Sequence, residues 1–341
     1  MLQVKNKDSK KAELRLTMKL FYLALILLAG CGGNHMTKEA PVAIIFDTDI
    51  APDYDDVGAL AMLHAFADKG EAKILATISS NAAETTVPTI SVINTYFKRQ
   101  DIPVGVIKLD SPNLFCERLW AQKIVKEYPH NFKSNNDAQD AVSVYRKLLA
   151  SQPDHSVTIV TVGTFSNMPG LLDSKADEFS ELTGRQLVEE KVKQLVSMAG
   201  AVDSTGKGGN EFNIRADIPA ARKVFSEWPT PITLTGLEIG IRIITGMTLI
   251  NNDNIQNSPV KDAYYHAMSY DGNNEGRYSW DQTAVLIAVR GLQPYFNYRE
   301  LDFIIEDDGT NRVVPGKKIK YATFNQTPAE ITKVIEELMM K

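Results

Sequence analysis

The segment Val42-Ala43-Ile44-Ile45-Phe46 carries no polar side chain and runs straight into five aspartates within ten residues, Asp47, Asp49, Asp53, Asp55 and Asp56. A strand that is apolar on both faces suits a buried parallel sheet, since an antiparallel strand with one wet face alternates in polarity. Parallel neighbours need crossover segments, usually helices, so the rest of the chain is constrained to alternate strand and helix. The aspartates then fall at the carboxyl end of the strand, where open α/β sheets bind their ligands. Carboxylates packed so closely repel one another unless a cation or a proton separates them. Asp titrates near ~3.9, so a bound divalent metal is the natural remedy at neutral pH.

The pattern downstream meets that constraint. Asp56 to Lys69 has apolar residues at near-helical spacing (Val57, Leu60, Ala61, Leu63, Ala67) and is stopped by Gly70. Strands are predicted over Ile74–Ile78, Ile102–Ile107, Val157–Val162, Lys193–Met198 and Ile232–Thr235. Helices are predicted over Val87–Arg99, Ala138–Gln152, Ala216–Glu227, Val260–Ser269, Trp280–Val289 and Thr327–Met340. Strands separated by helices of this length give an α/β fold with a mostly parallel, Rossmann-like central sheet and helices on both faces. No internal repeat and no second linker is evident, so residues 42–341 are expected to form a single catalytic domain.

Residues 1–30 read differently. Six basic side chains (Lys5, Lys7, Lys10, Lys11, Arg15, Lys19) precede or open an apolar run, Leu20–Leu28, followed by Ala29-Gly30-Cys31. Nine apolar residues are too few to span a bilayer, which needs ~20, but the order is that of a secretory signal. Leu28-Ala29-Gly30-Cys31 resembles a bacterial lipobox, in which Cys31 is lipidated, with residues 31–41 as a flexible tether. Met18 begins a more compact signal than Met1. The expected location is the bacterial cell envelope, with membrane contact through the lipid anchor only. The whole chain has a net charge of −5, and losing the basic leader makes the remainder more negative, which excludes a nucleic-acid partner. Cys116 is the only other cysteine and reads as a buried thiol.

Small polar residues recur after the predicted strands: Ser79-Ser80-Asn81, Gly163-Thr164 with Ser166-Asn167, Gly208-Gly209-Asn210-Glu211-Phe212-Asn213, and Ser279-Trp280-Asp281 at a helix start. Singly these are ordinary loop residues; gathered on one sheet edge they favour a site. Together, Asp47-Thr48-Asp49…Asp55-Asp56, Val160-Thr161-Val162-Gly163-Thr164-Phe165-Ser166-Asn167, Glu211-Phe212-Asn213-Ile214-Arg215-Ala216-Asp217 and Trp280-Asp281 resemble the inosine-uridine preferring nucleoside hydrolases, over nearly all of residues 42–340. The aspartate motif of that family is two residues tighter, so Asp53-Tyr54 looks like an insertion.

The resemblance implies a Ca²⁺-dependent hydrolase that splits the N-glycosidic bond of a nucleoside-like small molecule, in a family that often forms homo-oligomers. It implies metal ligation by Asp49, Asp56, the Val162 carbonyl and Asp281. Asp49 takes the role of base toward water, and Asp55 accepts the ribose 2-hydroxyl. Glu211 and Asn213 hold the far end of the ribose, and Asn81 and Met198 line the sugar. Calcium suits oxygen donors of this kind, taking ~6–8 at ~2.3–2.6 Å. Many members carry a histidine directly before the late aspartate as a proton donor to the leaving base; this chain has Trp280. Indole cannot serve as that acid, although it can stack on a base for ~1–3 kcal/mol or simply pack. Two alternatives stand beside this reading. One is a sugar-binding lipoprotein without catalysis, suggested by Trp280. The other is a haloacid-dehalogenase-type phosphatase, suggested by Asp47-Thr48-Asp49 after a strand, with Ala51 departing from that pattern.

Overall fold

Alternation of single residues builds the two faces of the sheet. Ile44, Phe46, Val160 and Val196 enter one apolar core, whereas Ile45, Val157, Ile159 and Leu195 enter a second on the opposite side. A period of two along strands that are apolar throughout can do only this, so both faces must be covered. The structure is a computed structural model and describes residues 40–109 and 111–341. Pro41–Lys341 forms one compact unit.

The strands are β1 (Val42–Thr48), β2 (Ala72–Ser79), β3 (Val104–Val106), β4 (Gln139–Asp140), β5 (Val157–Thr161), β6 (Val192–Met198), β7 (Gly208–Asn210), β8 (Ile232–Thr235), β9 (Ile244–Thr245), β10 (Arg277–Tyr278), β11 (Phe296–Ile305) and β12 (Thr310–Phe324). The main sheet has the order β11-β12-β8-β6-β5-β1-β2-β3-β4, with β7 paired to β12. Every neighbour from β12 through β8 to β4 runs parallel. The chain builds outward from β1 through β2, β3 and β4, then returns to the other side of β1 with β5. The order therefore reverses between β1 and β5, and the crevice outside their carboxyl ends is where such sheets bind ligands. Asp47 pairs in register with Ile78 on one side and Thr161 on the other, which fixes Asp49 and Val162 at the two lips of that crevice.

The helix Asp55–Asp68 starts inside the crevice and is buried from Asp55 through Phe66. Its sequence is apolar nearly all round because it lies between the sheet and the helices Pro259–Asp271, Trp280–Arg290 and Pro328–Met339, rather than at the surface. Gly58 is the point of closest approach: a side chain there would collide with the Tyr264 hydroxyl and the Gln282 amide. The last helix starts as its sequence indicates, with Thr327 and Glu330 forming a reciprocal cap.

Two differences from expectation bear on the main sheet. The predicted strand Ile102–Ile107 shrinks to Val104–Val106, since Pro103 removes a donor from its start. Residues 296–324, for which no element was predicted, form the antiparallel pair β11–β12 at the sheet edge. Its outer positions carry Asn297, Arg299, Glu300 and Lys317, all exposed, so the apolar run that betrays a buried strand is missing. The expected signal, lipidation at Cys31 and the tether as far as residue 39 lie outside the described residues. Among the described residues no helix is long and apolar enough to cross a membrane.

Candidate active site

Two helix N-termini converge on the crevice. Asp55 and Asp56 occupy the first turn of Asp55–Asp68, and Asp281 the first turn of Trp280–Arg290. Backbone N–H groups at a helix start favour negative charge, so both helices support the carboxylates they carry. The Asp281 amide donates to Asp55 Oδ2 at 3.3 Å. One carboxylate oxygen from each of Asp55, Asp56 and Asp281 can be chosen so that all three lie within 4.8 Å of one another. Asp49 joins from the β1 loop: it lines the same cavity, and its charge acts on Asp55, Asp56 and Asp281. Thr48 Oγ1 donates to Asp56 Oδ1 and accepts from the Ile50 amide at 3.1 Å, which ties the loop to the helix.

Gly163 lets the opposite lip close on this loop. A Cβ there would stand 2.5 Å from the Asp49 nitrogen and 2.6 Å from Asp49 Cβ. Beside it, the Asn213 amide donates to the Val162 carbonyl at 2.9 Å and to the Met198 carbonyl at 3.1 Å. The Glu211 carboxylate caps the short helix Phe212–Ala216, accepting from the amides of Asn213 at 2.7 Å and Ile214 at 3.2 Å, and also from Gly200 at 3.2 Å. These contacts hold Glu211 and Asn213 in one orientation against the cavity wall.

The cavity has a volume of about 310 Å³. Asp49, Asp55, Asp56, Val162, Met198, Glu211, Asn213, Trp280 and Asp281 all line it, which gathers nine of the ten residues singled out from the sequence as catalytic, substrate-binding or metal-binding. Asn81 is the exception and corrects the expectation that it lines the sugar. Its amide donates to the carbonyls of Asp49 and Leu114, both at 2.9 Å, while its Oδ1 accepts from the Ala83 and Leu114 amides. Asn81 therefore pins the floor loop from behind. Asp47 lies behind it as well, accepting from Tyr145 at 2.7 Å and Asn167 at 2.9 Å.

Burial pushes Asp49 up to about 7, with the charges of Glu211 and Asp47 adding to it, and pushes Asp55 up to about 7 with help from Asp49. Asp56 and Asp281 are also raised well above the usual carboxylate range, by burial and then by their carboxylate neighbours. Burial also raises Glu211, against the pull of its three amide donors. Carboxylates in this state need protons or a cation, and a hard divalent ion satisfies all of them at once. The donor set, all oxygen, buried and converging from three separate segments, fits such an ion.

Sequence reasoning missed the cations at the cavity mouth. Arg277 ion-pairs with Asp53 and lies over Trp280 at 4.9 Å and over Tyr54 at 5.2 Å. Arg118 pairs with Asp271 at 2.7 Å and donates to the Pro52 carbonyl at 3.1 Å. Neither lies in a predicted element; the one available signal was a cation four residues before Asp281. Trp280 is fixed by its own donor, Nε1 to the Leu237 carbonyl at 2.9 Å.

Among solved structures, a purine-preferring ribonucleoside hydrolase from Gardnerella vaginalis shares this fold with a TM-score of 0.67 at 15% identity, covering 87% of this chain and 99% of that one. An inosine-uridine preferring nucleoside hydrolase from Bacillus anthracis gives 0.66 at 15% identity, covering 88% and 99%. The type III effector XopQ, solved with adenosine diphosphate ribose, gives 0.65 at 14%, covering 89% and 94%. No curated protein matches by sequence. The sequence model of the inosine-uridine preferring nucleoside hydrolases matches residues 44–334, a span that contains every residue of the cavity and leaves no place for the phosphatase alternative. A parallel sheet with its acidic crevice at the strand reversal, matched over that span, identifies an N-glycosyl hydrolase: the chain belongs to the inosine-uridine preferring nucleoside hydrolase family.

Proposed function

We propose that the protein hydrolyses the N-glycosidic bond of ribonucleosides, giving ribose and free base, with Ca²⁺ as its ion. The observation that carries this reading is the convergence of Asp55, Asp56 and Asp281 with Asp49 on the floor of one cavity. Asp49, Asp56, Asp281 and the Val162 carbonyl are the proposed ligands, and Asp55 is close enough to the other two carboxylates to share that duty. Bound calcium would supply a hard, Lewis-acidic anchor for sugar hydroxyls and the attacking water.

Asp49 accepts the proton of that water, a task open to an ionised carboxylate on the cavity wall beside the attacking oxygen. Asp55 accepts the ribose 2-hydroxyl. Glu211 and Asn213, already held by backbone partners, hold the far end of the ribose, while Met198 packs against its ring. The wall of carboxylates favours the positive charge that develops on the sugar as the bond to the base breaks. A lipid anchor at Cys31 belongs to the same reading and would put the activity at the cell envelope; its support is the basic, apolar and lipobox order of residues 1–31.

The test is a panel of purine and pyrimidine ribonucleosides incubated with calcium or with chelator. Free base should appear only with calcium. A second reading, a binding protein without catalysis, draws on Trp280 standing where many relatives of the resembled family carry histidine. Saturable nucleoside binding with no base released over hours would favour it.

A further inference from the structure

At its mouth the cavity changes sign. The floor is carboxylate, but Arg277 stands over the face of Trp280, on the same wall, with Nη2 on Asp53. Asp53 and Tyr54 stand between Asp49 and the Asp55-Asp56 pair, and both act on this one side chain, by ion pair and by ring face. This segment therefore holds a guanidinium in place. Arg277 Nε is buried with no hydrogen-bond partner among the described residues. A buried donor of this kind costs free energy unless something supplies an acceptor, and the residue that carries it is part of the cavity lining. Burial lowers Arg277 to about 10, which leaves it cationic at neutral pH.

We infer that Arg277 binds the departing base, and that the substrates are ribosides whose leaving heterocycle presents an oxo or ring-nitrogen acceptor to a guanidinium. This inference rests on the hydrolase reading above. The bond between the anomeric carbon and the base nitrogen breaks with its electron pair going to the base. The water oxygen bonds to the anomeric carbon and its proton goes to Asp49. The base leaves as an anion stabilised by Arg277, which keeps its own proton, and solvent then protonates the base while Asp49 returns its proton to solvent. No histidine is needed in this sequence of steps. Trp280 offers one ring face to Arg277, and its anchored indole fixes where the guanidinium sits.

The test compares inosine and uridine with 4-nitrophenyl β-D-ribofuranoside, whose leaving group departs without assistance, for the wild type, Arg277→Gln, Arg277→Lys and Asp53→Asn in saturating calcium. Arg277→Gln should lose about 100-fold or more in kcat on the nucleosides, the size expected for one donor aimed at developing charge, and less than about 10-fold on the nitrophenyl riboside. Arg277→Lys should recover only part of the loss, since an ammonium lacks the planar fork. Asp53→Asn, which loosens Arg277 without deleting it, should show the same substrate bias at smaller size. Equal losses on all three substrates, or no loss on the nucleosides, would overturn the assignment of Arg277. A wild type inert toward every riboside would instead overturn the hydrolase reading, and Arg277 with it.

Discussion

Asn81 supports the Asp49 loop from behind the cavity, through hydrogen bonds to backbone. It follows β2 on the ligand-binding edge, and all of its amide is spent on the backbone at Asp49, Ala83 and Leu114. Only the direction of its side chain separates lining a cavity from supporting it, and spacing carries no information on that. Asn81→Ala leaves the Leu114 amide and the Asp49 carbonyl unpaired in a buried setting, which costs about 1–3 kcal/mol for such a group. Urea unfolding should show that loss, with the Asp49 loop no longer pinned and hydrolysis falling along with stability. A variant as stable as the wild type would argue against the supporting role. Glu211 and Asn213 are the converse case, since their loop hydrogen bonds and their place on the cavity wall coexist.

The helix Asp55–Asp68 joins site and core. Its first turn supplies two floor carboxylates, and its third turn buries His64 between Asn94, at 3.0 Å, and the face of Phe97. Burial lowers His64 from its ordinary value to about 3. A histidine that is neutral in the folded chain and titrates near ~6.5 when unfolded gives the unfolded state more protons between those values. The stability it contributes is therefore complete above about pH 6.5 and declines as the pH falls, by at most ~1.4 kcal/mol per unit. Between pH 8 and pH 5 the wild type should lose about 2 kcal/mol more than His64→Gln, which keeps a donor for Asn94 without the titration. Parallel urea midpoints across that range would contradict this. The helix itself was legible from its apolar spacing and Gly70. Its complete burial was not, because that depends on the helices that cover it 200 residues later. The β11–β12 pair escaped notice for the opposite reason: an edge with charged outer positions has no apolar run to display.

At the scale of the whole molecule, the legible part was whatever a parallel sheet dictates. An apolar β1, alternation with helices, and aspartates at a strand end lead to a crevice at the reversal of strand order. The meeting of Asp281 with Asp55 and Asp56 followed from family resemblance and not from spacing, because more than 220 residues separate them. Arg118 and Arg277 could not be foreseen, since long-range pairing with Asp271 and Asp53 decides where they point. Calcium titration of the chelator-treated protein by calorimetry at pH 7, repeated in buffers of different ionisation enthalpy, tests the gathering of these carboxylates most directly. It should show one site per chain that releases protons as it fills, because Asp49 and Asp55 rise to about 7 when no cation is present. Affinity should fall as the pH drops below that value, and Asp281→Asn should weaken it at least ~100-fold. Absence of saturable binding, or equal binding by Asp281→Asn, would contradict a shared ion on the cavity floor.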